Sequence, residues 1–280
     1  MIVSTVMGGL GNQMFQYAAG RALSLRSDKG LRLDLGWFDS PPAHLTPRRY
    51  ELDCFQIHAE LCSVYPPTRA ERIRELFGVS PRVWSEVPFR FEPRMLAAAD
   101  NVRLVGYWMD ERYFQEFSSE LRGDFAFHDS LSGRNRELAE RIRSETAVSV
   151  HVRRKDYVTN RTVAKFHGSL DLDYYLAAGQ RIIDDVRDPH FFIFSDDPDW
   201  CRANLDLGGR TTYVDHNSRG SDDLRLMSMC SHHVIANSSF SWWGAWLNPR
   251  DEKLVVAPAR WVADRSVDTS RVVPDDWLRV

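Results

Sequence analysis

The chain is short of cysteine, has no long apolar run and carries no large excess of either charge. Its four cysteines, Cys54, Cys62, Cys201 and Cys230, show no CxxC spacing. That spacing excludes a thiol–disulfide motif and a cysteine-based zinc site, and the four read as free thiols of a reducing compartment. No apolar run is long enough to cross a bilayer. Residues 1–20 have no basic n-region, so no secretory leader is expected and a cytoplasmic location is. The formal net charge of −3 argues against a general role on nucleic acid or membrane surfaces. No internal repeat or low-complexity segment is present. Asn160-Arg161-Thr162 and Asn237-Ser238-Ser239 match the glycosylation sequon, a pattern common by chance and without meaning in a cytosolic protein.

What remains is an ordinary globular composition. The 280 residues are 43% hydrophobic and 27% charged, enough for a sizeable core and for two domains. A β-branched strand over residues 2–6 runs into the turn Gly8-Gly9-Leu10-Gly11-Asn12-Gln13, then an amphipathic helix to about Ser27 and a strand over 31–35. This β–loop–α–β order is the mark of a doubly wound sheet. Residues 39–92 are proline-rich and irregular, with short helices expected near Glu60 and over 69–77. A strand over 102–107 and a helix over 111–121 follow. Residues 123–133 are turn-rich and carry the expected domain boundary, giving domains 1–128 and 129–280. Beyond it, helices over 134–146, 173–186, 198–205, 222–230 and after Phe240 alternate with strands over 147–151, 191–194, 211–214, 233–236 and 253–257. Parallel sheets are expected in both halves.

The densest chemistry follows the strand over 147–151. His151-Val152-Arg153-Arg154-Lys155-Asp156-Tyr157 crowds cationic groups at a strand's carboxyl end, where an open α/β sheet binds its ligand. Strand alternation puts His151 and Arg153 on one face, Val152 and Arg154 on the other. Burying two guanidinium groups is costly without an anion, and their fork matches phosphate oxygens. The plainer alternative is a salt-bridge cluster with Asp156 as internal partner.

Three further strand ends carry polar groups. Gly8–Gln13 opens a helix whose N–H groups attract anions. It approaches the dinucleotide fingerprint at Gly9 and Gly11, but Met14 stands where a third glycine belongs; Asp34 keeps that reading open. A tight turn that merely packs helix on strand is the alternative. Asn12 and Gln13 offer carboxamides suited to hydroxyl groups. In Phe194-Ser195-Asp196-Asp197-Pro198, one carboxylate suits a guanine edge and the other caps the helix from Pro198. In Asn237-Ser238-Ser239-Phe240-Ser241-Trp242-Trp243-Gly244, hydroxyls at a helix start suit phosphate, while the tryptophans read as core. Asp171-Leu172-Asp173 has the DxD form of metal-dependent glycosyltransferases, but its place at a helix start makes Asp173 a cap. The ligand these strand ends imply has a diphosphate, a base and hydroxyls, and a nucleotide-sugar fits.

The four stretches, Gly8 through Ala18, His151 through Tyr157, Phe194 through Asp197 and Asn237 through Gly244, together resemble glycosyltransferase family 11, the bacterial α-1,2-fucosyltransferases. They span nearly the whole chain in order. Lys155 departs from the glycine often found there in the family. The resemblance implies a GT-B fold, two Rossmann-like domains facing across a cleft, with GDP-fucose in the second domain and a galactose-containing acceptor in the first. It implies inverting transfer of L-fucose to a 2-hydroxyl, without cofactor or required metal, in surface-polysaccharide synthesis. Arg153 would grip the β-phosphate, and Arg154 would orient the loop through Asp156 or add a contact. His151 and Asp196 would read ribose and guanine. Asn237, Ser238, Ser239 and Phe240 would border diphosphate and fucose. Gly9 and Gly11 complete the donor set, and Asn12 and Gln13 would face the reacting centre with Arg153. Rival readings stay open: another GDP-deoxyhexose transferase, an NAD-dependent oxidoreductase using residues 9–11 and Asp34, or a non-catalytic sugar-binding protein.

Overall fold

A computed structural model of the chain describes residues 1–39, 41, 47–63, 81–98, 100–154, 168 and 170–280. The helix expected over residues 69–77 lies outside them, as do Lys155, Asp156 and Tyr157. The chain divides into two compact units, Met1–Asp129 and Ser130–Val280.

The first unit contains β1 (Ile2–Thr5), α1 (Leu10–Ser27), β2 (Leu31–Asp34), α2 (Gly36–Asp39), β3 (Glu60–Cys62), β4 (Arg82–Ser85), β5 (Val102–Val105) and α3 (Ser118–Asp124). Its sheet runs β3-β2-β1-β5-β4, all parallel. The chain winds outward from β1 to β3, then crosses to fill the other side, so the order reverses between β1 and β5. Two strands differ from the sequence reading. The expected helix near Glu60 is β3, three residues paired with β2 and too short to show any period. β4 went unrecognised because it is an edge strand with Arg82 and Val83 exposed, so no apolar face marks it. Residues 111–117 form two 3-10 turns before α3 rather than one helix.

α1 lies close on the sheet because of Gly20. A Cβ there would stand 3.0 Å from Ser4 Cβ and 3.0 Å from Leu31 Cδ1. Gly20 thus supplies the helix–strand approach that Met14 denies to the glycine turn. Gly20→Val is expected to cost about 1–3 kcal/mol, read as a lower urea midpoint at unchanged m-value. An unchanged midpoint would show that α1 tolerates a shift.

The second unit contains α4 (Gly133–Ser144), β6 (Ala147–Val152), α5 (Leu172–Asp185), β7 (His190–Ser195), α6 (Pro198–Asn204), β8 (Arg210–Val214), α7 (Gly220–Met229), β9 (His232–Val234), α8 (Ser239–Leu247), β10 (Val255–Ala257) and β11 (Leu278–Arg279). The parallel sheet runs β8-β7-β6-β9-β10-β11, the Rossmann order, which reverses between β6 and β9. Helices cover both faces, so β6 is buried at every position and reads as a continuous apolar run. Val148, Val150 and Val152 pack with Tyr174, Ala178 and Ile182 of α5 and Cys201 of α6. Ala147 faces the opposite layer with Leu138, Ile142 and Met227.

At the reversal, β6 and β9 are tied by a buried polar chain. Asn248 Nδ2 donates to His233 Nε2 at 2.9 Å, so His233 Nδ1 carries the hydrogen and donates to Ser149 Oγ at 2.8 Å. Burial holds the His233 pKa well below its ordinary value, so the ring stays neutral and keeps that tautomer. α8 packs by its tryptophans: Trp242 and Trp243 are fully buried, and Trp242 Nε1 donates to Val272 O at 2.8 Å. Among the described residues no helix is long and apolar enough to cross a membrane.

Candidate active site

The two arginines leave β6 on opposite faces, as strand alternation requires. Ser195 ends β7 in register with Val152, which sets Asp196 and Asp197 beside Arg153 and Arg154. Asp196 Oδ1 accepts the Arg154 backbone N–H at 2.9 Å, and Asp196 Oδ2 lies 3.3 Å from Arg153 Nε. Arg154 turns to the α6 side. Its Nε lies 3.8 Å from Asp197 Oδ2, and its guanidinium stacks 3.7 Å above the Trp200 ring. Asp197 caps α6 by accepting the Trp200 N–H at 3.4 Å, and its own N–H donates to Ser195 Oγ at 2.9 Å.

These contacts assign different work to the two cations. Arg154 is packed and paired, and positions the loop. Its partners are Asp197 and Trp200, while Asp156 lies outside the described residues. Arg153 keeps 26% of its side chain exposed at the ligand-binding end of β6. Asp196, expected to read a base, holds the Arg154 N–H with Oδ1, while its Oδ2 beside Arg153 has no hydrogen bond among the described residues.

His151 precedes this pair and is 5% exposed. Its ring faces Phe240 of α8 at 5.4 Å between centroids. Burial, helped by the Arg153 charge, lowers its pKa to about 3, so the imidazole is neutral. His151 Nδ1 is buried with no hydrogen bond among the described residues. An orphaned buried nitrogen at a strand's carboxyl end marks a place for a ligand hydroxyl or amide.

Across the reversal, Ser238 takes the N-cap position of α8 with extended backbone and makes no side-chain cap bond. Its hydroxyl is therefore not spent on α8, and Ser239 opens the first turn. Ser241 Oγ instead ties the loop, accepting the Ala236 N–H at 3.2 Å. Asn237 is buried, and its Nδ2 donates to Gly168 O at 3.1 Å and Trp261 O at 3.3 Å. Asn237 thus braces the loop that presents Ser238, Ser239 and Phe240. Asp171 caps α5 by accepting the Tyr174 N–H at 3.0 Å, whereas Asp173, the expected cap, sits in the first turn.

One cluster at the same end of the sheet escaped the sequence reading. His216 Nε2 donates to Asn135 Oδ1 at 2.7 Å, Asn135 Nδ2 to Asn217 Oδ1 at 2.7 Å, and Asn217 Nδ2 to Asp223 Oδ1 at 2.8 Å. The chain of donors ends on Asp223 in the first turn of α7. Burial, against the Asn217 hydrogen bond, raises the Asp223 pKa to about 6. A strained carboxylate of this kind is a mark of a functional site. α7 begins beside the same aromatic that faces His151, since a Cβ on Gly220 would lie 3.5 Å from the Phe240 ring.

In the first unit, the glycine turn sits at the carboxyl end of β1. Gly8 has φ +77° and crowds Asn12, whose Nδ2 would lie 2.8 Å from a Cβ at that position. Gly9 is the N-cap of α1, and its carbonyl accepts from Asn12 N at 2.9 Å and Gln13 N at 3.1 Å. Gly11 is buried within the first turn. Gln13 does not face a reacting centre. It is fully buried; its Nε2 donates to Gly8 O at 2.8 Å and Arg49 O at 2.7 Å, and its Oε1 accepts from Glu51 N at 2.9 Å. It clamps the turn to the segment at 49–51. Asn12 is half-buried and remains at the surface of the turn. Asp34 is also structural: it is fully buried, accepts the Gly36 N–H at 3.1 Å and lies 3.3 Å from Arg103 Nη1.

Tandem Rossmann-like units with guanidinium, hydroxyl and carboxylate groups at their strand ends have the build of a GT-B type glycosyltransferase. Residues 84–279 match the family model described as Glycosyl transferase family 11. The chain is 33% identical to an Escherichia coli protein named Alpha-1,2-colitosyltransferase, covering 100% of this chain and 99% of that protein. It is 32% identical to the O-antigen biosynthesis glycosyltransferase WbnK of Escherichia coli, covering 99% of each. A Galactoside alpha-(1,2)-fucosyltransferase 2 of Oryctolagus cuniculus is 25% identical over 88% of this chain and 66% of that protein. Among solved structures, NodZ alpha-1,6-fucosyltransferase soaked with GDP-fucose aligns over 92% of this chain and 94% of its own, with TM-score 0.52 at 13% identity. The chain belongs to glycosyltransferase family 11, and it is a glycosyltransferase.

Proposed function

We propose that this enzyme transfers a 6-deoxyhexose, L-fucose in the first reading, from its GDP-activated form to the 2-hydroxyl of a galactoside, in cytoplasmic steps of surface-polysaccharide synthesis. The observation that carries the reading is the half-buried Arg153 at the end of β6, across the sheet reversal from the Ser238 loop. A diphosphate placed there meets a guanidinium fork, serine hydroxyls and the amino end of α8.

In this reading the acceptor hydroxyl attacks C1 of the donor sugar from the face opposite the diphosphate. The new glycosidic C–O bond forms as the C1–O bond to phosphate breaks, the hydroxyl proton passes to solvent, and the configuration at C1 inverts. GDP departs with the electron pair, and Arg153 stabilises the charge that collects on its β-phosphate. That role makes a bound metal unnecessary. The neutral His151 gives a hydrogen bond to donor hydroxyls beside Phe240. Asp223 takes the base in place of Asp196, since a carboxylate accepts two adjacent N–H groups of guanine. Arg154, Asp196 and Asn237 hold the loops, and Asp156 lies two positions after Arg154. The first unit takes the acceptor, with Asn12 at the turn surface.

The name of one relative, the Alpha-1,2-colitosyltransferase, favours a second reading, GDP-colitose as donor; colitose lacks the 3-hydroxyl of fucose. The test incubates the enzyme with either GDP-sugar and a panel of β-galactosides in EDTA and measures GDP release. Acceptor-dependent release from GDP-fucose supports the first reading, and release from GDP-colitose alone supports the second. Release that requires a divalent cation would overturn the metal-independent mechanism.

A further inference from the structure

The order of the first sheet reverses between β1 and β5, so the carboxyl ends of those strands form a second topological switch point, where open α/β sheets take their ligands. The turn after β5 at residues 106–109 is unusual. Gly106 has φ +159°, and a Cβ there would stand 2.3 Å from Glu86 Cβ. Trp108 has φ +57°, a left-handed conformation that a bulky residue adopts only under constraint. The constraint is Glu86, directly after the neighbouring β4. Its N–H donates to Val105 O at 2.9 Å, and its Oε2 accepts the Tyr107 N–H at 2.5 Å. One residue therefore ties the turn after β5 to the end of β4 through both its backbone and its carboxylate.

Polar atoms beneath and beside this turn are buried without partners among the described residues. Trp108 is 1% exposed, and its Nε1 is buried without a hydrogen bond among the described residues. Thr5, at the end of β1, is also 1% exposed with its Oγ1 in the same state. Tyr107 is half-buried, and its hydroxyl has no hydrogen bond among the described residues. A half-buried phenol backed by two buried, unpartnered polar atoms suits a sugar hydroxyl.

We infer that the turn at residues 106–109 is part of the acceptor subsite, in which Tyr107 contacts the β-galactoside and Glu86 is the positioning residue that holds the turn. The inference rests on the proposed galactoside acceptor.

The test uses the full chain and measures binding of a panel of β-galactosides by saturation-transfer NMR, with GDP binding by calorimetry in parallel. Tyr107→Phe is expected to weaken the β-galactoside that binds wild type by about five- to tenfold, the loss of one hydrogen bond. Its GDP affinity and melting temperature are expected to stay at the wild-type values. Glu86→Gln, which keeps the size of the side chain but weakens the acceptor for the Tyr107 N–H, is expected to raise the acceptor KM at least as much while the donor KM holds. Unchanged β-galactoside affinity in Tyr107→Phe would overturn the subsite, as would failure of every β-galactoside to bind wild type. Parallel loss of donor and acceptor KM in Glu86→Gln would reduce Glu86 to a folding role. Normal β-galactoside binding with no GDP binding would leave the subsite standing and count against the proposed donor.

Discussion

Arg153→Ala is expected to lower turnover by about two to three orders of magnitude, the scale of removing one preorganised donor to a developing charge. GDP affinity should fall with it. The fold should survive, because Asp196 keeps the Arg154 backbone N–H and loss of the Arg153 side chain opens the buried Oδ2 to water. Arg154→Ala should behave differently. It removes the stack on Trp200 and the partner of Asp197, so stability falls together with activity. Arg153→Lys separates charge from geometry, since an ammonium keeps the charge without the two-pronged fork and should recover only part of the rate. The comparison of Arg153→Ala with wild type combines single-turnover kinetics and a thermal melt. Near-normal turnover in Arg153→Ala would remove it from the chemistry.

Asp223→Asn is expected to make the protein more stable and a poorer binder of GDP. The sign follows from its pKa. The folded value of about 6 lies above the ordinary value of 3.8, so the folded state holds the proton more tightly than the unfolded chain does. Stability from this group is highest at acidic pH. It falls as pH rises from about 4 to about 6 and stays low above that. Replacing the carboxylate by a neutral amide should recover about 3 kcal/mol at pH 7.5, seen as a higher melting temperature that vanishes at pH 4. The amide has one acceptor oxygen where guanine asks for two, so GDP affinity should fall in the same variant. In wild type, GDP binding should weaken as pH drops through about 6, because the protonated acid loses an acceptor. Equal stability of the variant and wild type at pH 7.5 would mean that the buried charge carries no cost. Undiminished GDP affinity would take Asp223 out of the base pocket.

The sequence made the strands of the second sheet legible because helices bury both faces of β6 and β7, leaving unbroken apolar runs. It hid β4 and β3, which are short, lie at the sheet edges and have no buried stripe. The arginine stretch was legible for the same local reason: its charges follow an apolar run at once, and alternation alone places Arg153 and Arg154 on opposite sides. Their partners were not, because pairing Asp196 with Arg153 depends on the register between β6 and β7. Asp223 was missed for a stronger version of that reason. Asn135 and Asn217, which lead to it, are 82 positions apart, and nothing local distinguishes an asparagine on a helix surface from one in a relay. Gln13 was misplaced because a carboxamide after a glycine turn looks the same whether it faces a ligand or, as here, the backbone at 49–51.

The central claim is that the second unit holds a guanine nucleotide through Arg153. Titration calorimetry of GDP into the full chain in EDTA, with NAD as control and Arg153→Ala beside wild type, tests it most directly. GDP binding to wild type, a large loss in the variant and no heat from NAD are the expected results. NAD binding in place of GDP, or GDP binding indifferent to Arg153, would contradict the account.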